Sequence, residues 1–522
     1  MASSLRLRLA VAISASSGDD FVAVRQSPPP SLPEEEYRLF SDSDLWDLPS
    51  APLALLSTTD HSGDLSRSDL AIQGAEAISE SLHLSRFDLG AALHQVLEQV
   101  GLSIDKSNLK FMLLKFVEEA EFGPGPPINT LFLSLPLDSK EVSLKDSCKW
   151  VTKQNAFELL SGVKPCADRL GPLAYIGYLS QSNSLPNKVA DSPLLYEEYP
   201  PGVTVVPMKS GTIKPFSTTN LVVILAKKSS SGLSNSGSSI YHADALIMDP
   251  GCKIHAQLSD LISSLPGQLL VFVTHHHHDH VEGLSIVQKI NPEATLLAHE
   301  KTISRIHGNW SGACIGVSGG ENIFIGDQQL KVIFAPGHTD GHLALLHVET
   351  NSLIVGDHCV GEGSAVLDVT SGGNMKDYFD TTYKFIDLSP HVLIPMHGRM
   401  NLWPKRMLCG YLKHRRDREA RILKSIENGA SSMFDIVSDV YSDVDKKLWI
   451  AASSNVRLHV DYLNYQNKLP KGFSVEKFKA SCGVAFIIRW LCACIKSRLN
   501  TPLVAAITIG GSVAIAYAMK NK

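Results

Sequence analysis

The densest group of chemically active side chains is the run HHHHDH, in which five histidines and one aspartate lie between His275 and His280. The preceding LLVFVT has the composition of a buried strand ending at Thr274, and the following HVEGLSIVQKI has the apolar spacing of a helix. Alternate side chains of extended backbone share one side, so His275 and His277 are predicted to reach one metal ion together. Asp279 and His280 begin the helix and are predicted to turn toward a neighbouring metal.

Imidazole and carboxylate ligands without a thiolate beside them favour zinc, with manganese and iron as alternatives. We therefore predict two Zn²⁺ ions as cofactors. His276 and His278 are interpreted as spacers that face solvent or support the ligands. A run of histidines can also be a surface tract or an adventitious metal site, but its position between a buried strand and a helix favours a built site.

Later stretches make the chain similar to the metallo-β-lactamase superfamily. They are LIMDPG, APGHTDGH, LIVGDHCVGEG and LIPMHGR, in that order along the chain. The resemblance implies that His338 is a further ligand of the first metal, that Asp357 bridges both metals and that His397 binds the second. It also implies that Asp249 supports the ligand loop. Met396 departs from the family pattern, since many members have glycine there, but this change removes no ligand.

The resemblance also implies a reaction. Two metals about 3.5–4 Å apart lower the pKa of a shared water toward ~7, so that a bridging hydroxide is available at neutral pH. Asp279 would hold the second metal and orient or deprotonate that water, and it is therefore the residue predicted to be catalytic. The predicted metal ligands are His275, His277, Asp279, His280, His338, Asp357 and His397.

Two resemblances bear on the substrate. The loop THHHHDH resembles the glyoxalase II form and implies a thioester hydrolase, whereas GDHCVGEGSAVLD resembles the lactamase-beta-2 type endoribonucleases. The residues after Pro404 are similar to the winged-helix extension of that second group, with a short wing at its end. Six basic side chains there are predicted to meet phosphates, unless they only line a solvated helix face: Lys413, Arg415, Arg416, Arg418, Arg421 and Lys424.

We predict a single-stranded RNA endonuclease, with a glyoxalase II-like thioester hydrolase as the alternative. A membrane-tethered scaffold without catalysis is a third hypothesis. The complete ligand set argues against the scaffold, because so many imidazoles and carboxylates would otherwise have little reason to converge.

The elements that position these residues belong to a chain of 522 residues, which is too long for one ordinary core. Short apolar strands alternating with helical stretches predict an α/β sheet domain over residues 200–403. The resemblance implies that this domain is a metallo-β-lactamase αββα sandwich. Residues 404–478 are predicted to form the winged-helix-like module. The stretch from Ser180 to Pro193 is rich in serine, asparagine and proline and predicts a linker before the sandwich.

Residues 1–185 predict a separate α/β domain. Its stretches LWDLPSAPL and GAALHQVLEQVGL are similar in placement to the Trp-x-Leu-Pro stretch and the metal-binding helix of Nudix hydrolases. In the matching helix Gln95 and Gln99 replace glutamates and only Glu98 remains. Amides cannot supply the charge that a magnesium site needs, so we predict a Nudix-like domain without catalysis, with an unrelated α/β domain as the alternative.

The ends of the chain raise the question of location. Residues 502–519 carry no charge and as a helix would span about 27 Å, which predicts a transmembrane tail anchor. We predict attachment to the outer membrane of a mitochondrion or plastid, with the catalytic part facing the cytosol. The opening MASSLRLRLAVAISASS is transit-peptide-like and gives the alternative of an organelle interior, although LAVAIS also fits a first strand. The net charge of -5 gives no overall attraction to nucleic acid, and nine scattered cysteines favour a reducing compartment.

Overall fold

The computed structural model describes residues 6–15, 18–56, 72–73, 84–102, 110–118, 128–138, 140, 142–162, 168–179, 196–226, 240–306, 308–361 and 363–498. The predicted linker and the predicted membrane tail lie outside these ranges. Contacts divide the chain into two compact units, of which the first contains all three β-sheets and the second consists mainly of the helices beyond Leu412.

A nine-stranded mixed sheet forms the N-terminal region. Its strands are β1 (Arg6–Ala15), β2 (Asp20–Gln26), β3 (Leu45–Asp47), β4 (Ser50–Pro52), β5 (Ile72–Gln73), β6 (Phe111–Glu118), β7 (Ile128–Leu137), β8 (Cys148–Thr152) and β9 (Arg169–Leu170). The stretch LAVAIS lies in β1, which pairs in parallel with β7 and antiparallel with β2. The helices of this region are α1 (Glu35–Arg38), α2 (Leu89–Val100), α3 (Lys153–Ser161) and α4 (Pro172–Ala174).

Helix α2 contains the stretch that resembles the Nudix motif. Asp88 caps it by accepting the amide of Ala91, and it ends at Gly101 in the left-handed conformation. Its apolar face packs on the sheet, and Gln99 accepts the Ser50 amide at 3.1 Å. Glu98 faces solvent with its side chain 70% exposed. These contacts give α2 a packing role and leave the Nudix-like assignment a prediction.

Two further sheets carry the predicted hydrolase region. The first, of seven strands, contains β10 (Glu197–Glu198), β11 (Val203–Lys209), β12 (Thr218–Leu225), β14 (Ala245–Met248), β15 (Leu269–Phe272), β16 (Thr295–Ala298) and β17 (Cys314–Gly316). The second, of six strands, contains β13 (Ile240–Ala243), β18 (Asn322–Ile325), β19 (Gln328–Phe334), β20 (Leu343–His347), β21 (Ser352–Gly356) and β22 (Val392–Pro395).

One apolar cluster joins the facing sides of these two sheets. It includes Val222 and Phe272 from the first sheet and Val332 and Ile354 from the second. The other side of the first sheet packs against helices. A second apolar cluster lies there and includes both Leu221 of β12 and side chains of those helices. A strand that is buried on both faces has a continuous run of apolar residues, which explains the stretch NLVVILA, Asn220 to Ala226, at β12. The two-sheet sandwich expected for residues 200–403 is therefore present, and its core cluster continues into the N-terminal sheet.

The remaining helices follow in chain order. They are α5 (His255–Ser264), α6 (His278–Val281), α7 (Leu284–Ile290), α8 (Glu300–Ile306), α9 (Met375–Asp387), α10 (Pro404–Glu427), α11 (Met433–Val440), α12 (Trp449–Tyr465), α13 (Val475–Ala480) and α14 (Val484–Arg498). Among the described residues, none of the helices is both long and apolar enough to cross a bilayer.

The second unit has its own apolar core, in which Ile422, Val437, Val456 and Phe478 are buried. Gly429, two residues beyond the end of α10, has a φ of 102°, the left-handed conformation in which many helices end. Residues 404–498 contain helices and no strand, so the expected wing is not formed by them. The winged-helix-like assignment is thus not confirmed.

Candidate metal centre

The predicted ligands follow the ends of parallel strands. In the first sheet β14 and β15 run in parallel, with Asp249 directly after β14 and the histidine run shortly after β15. In the second sheet β21 and β22 run in parallel, with Asp357 and His397 just beyond their ends. Because the carboxyl ends of parallel strands meet at one edge of a sheet, residues far apart in sequence converge there. His338 lies in the turn between β19 and β20.

The first group that could hold a metal consists of His275, His277, His338 and Asp357, each offering one ligand atom within 4.8 Å of the others. His275 Nε2 and His277 Nδ1 are 2.9 Å apart, so two ring nitrogens from alternate positions of the loop point to one place. Imidazole and carboxylate at this spacing are suitable ligands for a divalent transition metal.

The second group consists of Asp279, His280 and His397. His397 Nε2 lies 3.2 Å from Asp279 Oδ2 and 3.5 Å from Asp357 Oδ1. His280 Nε2 also lies 3.5 Å from the same oxygen of Asp357. Asp357 therefore stands between the two groups, as a residue that bridges two metals must. All seven residues predicted as metal ligands are brought together in these two neighbouring groups.

A hydrogen-bond chain behind the ligands fixes their rings. The hydroxyl of Thr274 donates its hydrogen to Asp249 Oδ2 at 2.6 Å. In its contact of 2.9 Å with His275 Nδ1 the hydroxyl oxygen must therefore be the acceptor and the ring N–H the donor. His280 Nδ1 lies 2.9 Å from the same Asp249 oxygen. His397 Nδ1 similarly donates to the carbonyl of Thr218 at 2.9 Å. These partners leave Nε2 of His275, His280 and His397 as the metal-binding atoms.

Asp249 itself could be counted as a ligand, since its carboxylate also lies near His275 and His280. However, Oδ1 accepts the Thr274 amide at 2.7 Å, and Oδ2 is engaged by the Thr274 hydroxyl and His280. Asp249 is fully buried with a φ of 52°. We therefore assign it the supporting role that the family resemblance implies.

The electrostatics of the site suit a cation. Among the described residues His280 Nε2 has no hydrogen-bond partner, although it is fully buried and faces two carboxylates. Burial raises the pKa of Asp357, but the neighbouring His397 and His280 lower it by more. The pKa of Asp357 therefore lies well below its ordinary value. Burial lowers the pKa of His397, but Asp357 and Asp279 together raise it to about 9. Ionised carboxylates that hold extra protons on imidazoles fit a site built for divalent metals.

Other residues that support the ligands could hardly be recognised from the sequence. The hydroxyl of Thr219 donates to the backbone carbonyl of Asp279 at 2.9 Å. His342 Nε2 accepts the amide of Asp357 at 3.1 Å, and burial lowers the pKa of His342 to about 3, so this ring is neutral. Gly356 precedes Asp357 with a φ of 58°, and a Cβ there would lie 2.4 Å from His342 Nε2. Only the position of a threonine directly before the histidine run could have pointed to such support.

The other histidines lie outside the two ligand groups. The side chain of His278 is 76% exposed and lies 3.9 Å from Glu282, while His276 is half-buried. His299 Nδ1 accepts the amide of Lys301, and His358 Nε2 lies 2.8 Å from the Thr382 hydroxyl. These placements agree with spacer and structural roles.

The basic residues of α10 differ from expectation. Arg415 is only 2% exposed, donates to Asn455 at 3.0 Å and lies over the ring of Tyr378. The prediction that Arg415 meets phosphate is therefore wrong, because its guanidinium is enclosed by protein. Arg418 is half-buried and lies 4.0 Å from the ring centre of Tyr441. The exposed basic residues of this helix are Arg416, Arg421 and Lys424.

Several known proteins are similar to this chain. Beta-lactamase-like protein 2 homolog of Drosophila melanogaster is 27% identical over 237 residues, covering 42% of this chain and 77% of the fly protein. Hydroxyacylglutathione hydrolase of Synechococcus sp. (strain JA-3-3Ab) is 34% identical over 126 residues, covering 24% of this chain and 48% of that enzyme. The chain thus spans about half of the second relative's length.

A beta-lactamase domain protein from Burkholderia ambifaria has a similar structure, with a TM-score of 0.44 and 16% identity, covering 54% of this chain and 91% of that one. No family model matches the chain. The names of the sequence relatives support the metallo-β-lactamase superfamily and a metal-dependent hydrolase. The same relatives imply a divalent metal centre without identifying the metal.

Proposed function

We propose that this chain is a dinuclear metal hydrolase that cleaves phosphodiester bonds of single-stranded RNA. The observation that carries the dinuclear centre is the convergence of seven ligands in two neighbouring groups. Asp357 of the first group lies 3.5 Å from both His280 and His397 of the second. His275, His277 and His338 complete the first group, and the second contains Asp279, His280 and His397. Zinc fits these nitrogen and oxygen ligands, with manganese or iron as alternatives.

Two divalent metals bound in such a site acidify a water and stabilise negative charge. The chain's own residues place the reactants. Asp279 is the most exposed of the second group's side chains, at 17%, compared with 0% for His280 and 3% for His397. Burial raises the pKa of Asp279, but His280 and His397 hold it below its ordinary value. An ionised carboxylate on the open side of the site accepts a hydrogen bond and orients a water molecule there.

Two features support RNA as the substrate. The stretch Gly356 to Asp368 resembles the endoribonuclease form of this loop. The second unit also carries the exposed cations Arg416, Arg421 and Lys424 on α10, where phosphates can reach them. A thioester substrate is the second candidate, because the Synechococcus relative is named a hydroxyacylglutathione hydrolase and the loop THHHHDH resembles that enzyme type.

The test compares two substrates with matched variants. The full chain is incubated with labelled single-stranded RNA and with S-lactoylglutathione, each with and without a chelator. We expect RNA cleavage that the chelator abolishes, that His277→Ala removes and that His278→Ala retains, since His278 faces solvent. RNA loss that survives the chelator or His277→Ala would overturn the proposal. Thioester hydrolysis without RNA cleavage would establish the second candidate.

We further propose that the C-terminal end contacts a membrane, as predicted for the tail at residues 502–519. Val484, Ile488, Leu491 and Ile495 of α14 are all exposed and lie on one helix face. This apolar stripe ends shortly before the uncharged tail, so both features fit one lipid surface. The outer membrane of a mitochondrion or plastid, with the catalytic part facing the cytosol, is the location we propose.

Vesicle flotation tests the apolar stripe. A chain ending at Arg498 should bind vesicles of phosphatidylcholine and phosphatidylglycerol, and the double variant Ile488→Ser/Leu491→Ser should bind several-fold less. The matched control Leu448→Ser/Ile450→Ser removes two exposed apolar side chains of the same unit and should leave binding unchanged. Equal binding by all three chains would contradict this role.

A further inference from the structure

A cavity of about 220 Å³ lies at the junction of the N-terminal sheet with the second sheet of the hydrolase region. Arg169 of β9 reaches it from one side, and His391, which directly precedes β22, reaches it from the other. Lys405, in the first turn of α10, also lines it, together with Ser41, Asp42, Ser43, Ser389 and Pro390. The proposed metal ligand His397 follows the opposite end of β22, about 13 Å of strand away, so the cavity is separate from the metal centre.

The lining of this cavity is cationic. Arg169 is 4% exposed, and its guanidinium donates to the backbone carbonyls of Ser43, His391 and Leu402 at 2.7–2.8 Å. Arg169 and Lys405 contribute two permanent positive charges, against the one carboxylate of Asp42. Carbonyl oxygens fix the guanidinium in place without neutralising its charge, so the cavity favours an anion.

The carboxylate of Asp42 binds the start of helix α10. Its two oxygens accept the backbone amides of Lys405 and Arg406 at 2.9 and 3.0 Å, at the start of α10. Because both oxygens are hydrogen-bonded to the helix end, Asp42 is held in the role of a helix cap. It offsets one of the two positive charges and still leaves the lining with one positive charge in excess.

His391 gives an independent indication of a ligand. Its side chain is 7% exposed, and among the described residues its Nε2 is buried without a hydrogen-bond partner. Buried polar atoms in native proteins nearly always have a partner. Burial and the charge of Arg169 lower the pKa of His391 to about 4, so the ring is neutral at pH 7 and can donate one N–H to an anion.

We propose that this cavity binds a small oxyanion, namely a phosphate or the phosphate group of a small monoester. The guanidinium and ammonium groups supply the charge, His391 supplies a donor, and the hydroxyls of Ser41 and Ser43 supply further donors. The volume suits a phosphate with a small organic part and is below the range of drug-sized ligand sites. This ligand site is independent of the reaction at the metal centre and goes beyond the proposed function.

Calorimetric titration of the full chain with inorganic phosphate at constant ionic strength tests the proposal. Lys405→Gln removes a half-buried charge that lines the cavity, and His391→Phe removes both ring nitrogens while keeping a planar ring and the backbone carbonyl that Arg169 uses. Each variant should weaken phosphate binding about tenfold or more, the effect of losing one charged hydrogen bond. Lys289→Gln, the matched control, removes an exposed lysine outside the cavity and should bind as the unaltered chain does.

The metal centre must be separated from this binding, because phosphate is also a ligand for metals. Binding that persists in the His277→Ala variant and is lost in Lys405→Gln supports the cavity. Glycerol 3-phosphate and succinate then distinguish a phosphate monoester from a carboxylate, and the monoester is expected to bind more tightly. The proposal is overturned if phosphate fails to bind, if Lys405→Gln and His391→Phe both bind like the control, or if His277→Ala abolishes binding.

Discussion

Replacing Thr274 by valine should weaken metal binding although Thr274 is not itself a ligand. The hydroxyl is fully buried, donates to Asp249 at 2.6 Å and accepts the ring N–H of His275 at 2.9 Å. Valine keeps the shape and removes both contacts, leaving a buried N–H of His275 without its partner. Loss of a supporting partner typically lowers metal affinity by about 10–100-fold, which corresponds to roughly 1.4–2.7 kcal/mol.

The same change should also lower the free energy of unfolding, by about 1–3 kcal/mol, because a buried donor loses its acceptor. Stability alone therefore cannot identify the role of Thr274, and a matched variant is needed. Thr350 is 3% exposed, its hydroxyl lies 2.7 Å from His347 Nδ1, and it donates to Ser352. Thr350→Val therefore removes the same kind of contact away from the proposed ligands.

The assay is competitive titration of zinc against a chromogenic chelator, with unfolding in urea measured in parallel. We expect both valine variants to lose similar stability and only Thr274→Val to lose zinc affinity. Wild-type affinity in Thr274→Val, or an equal loss in Thr350→Val, would refute the proposed role of Thr274 in orienting His275.

Three more predictions concern separate parts of the chain. A Cβ at Gly251 would lie 1.5 Å from the backbone oxygen of Asp279, so Gly251→Ala should cost about 3 kcal/mol and reduce metal content, as measured by elemental analysis. The pKa of His397 is about 9 before metal binds, and that of His280 also lies well above its ordinary value. Because protons must leave these rings, zinc affinity measured calorimetrically should rise at least about tenfold per pH unit between about pH 6 and 8. Arg415→Met should lower the free energy of unfolding by about 2 kcal/mol, whereas the exposed Arg421→Gln should leave unfolding unchanged and weaken RNA binding in filter assays.

The ligand loop could be predicted from the sequence because its geometry is local. Alternation in extended backbone brings His275 and His277 together, and the following short helix α6 turns Asp279 and His280 toward the neighbouring group. The later ligands depend on strands that meet only in the folded sheets. Their motif order indicated them through the family resemblance, since no local rule places His397 beside Asp279.

The supporting contacts could not be predicted in this way. The carbonyl of Thr218 that orients His397 belongs to the backbone and leaves no mark on the residue type. Arg415 reads as one of several exposed cations of a basic helix, and its burial depends on Tyr378 and Asn455, which are distant in sequence. The cavity between Arg169 and His391 likewise requires two regions to pack together before its charge is apparent.

The most direct test of the dinuclear centre is anomalous diffraction from crystals of the full chain grown with zinc. We expect two peaks per chain, one contacted by His275 and His277, the other by His280 and His397, with Asp357 between them. Elemental analysis of the same protein should give about two metals per chain. A single peak, or peaks that these residues do not contact, would contradict the proposed dinuclear centre.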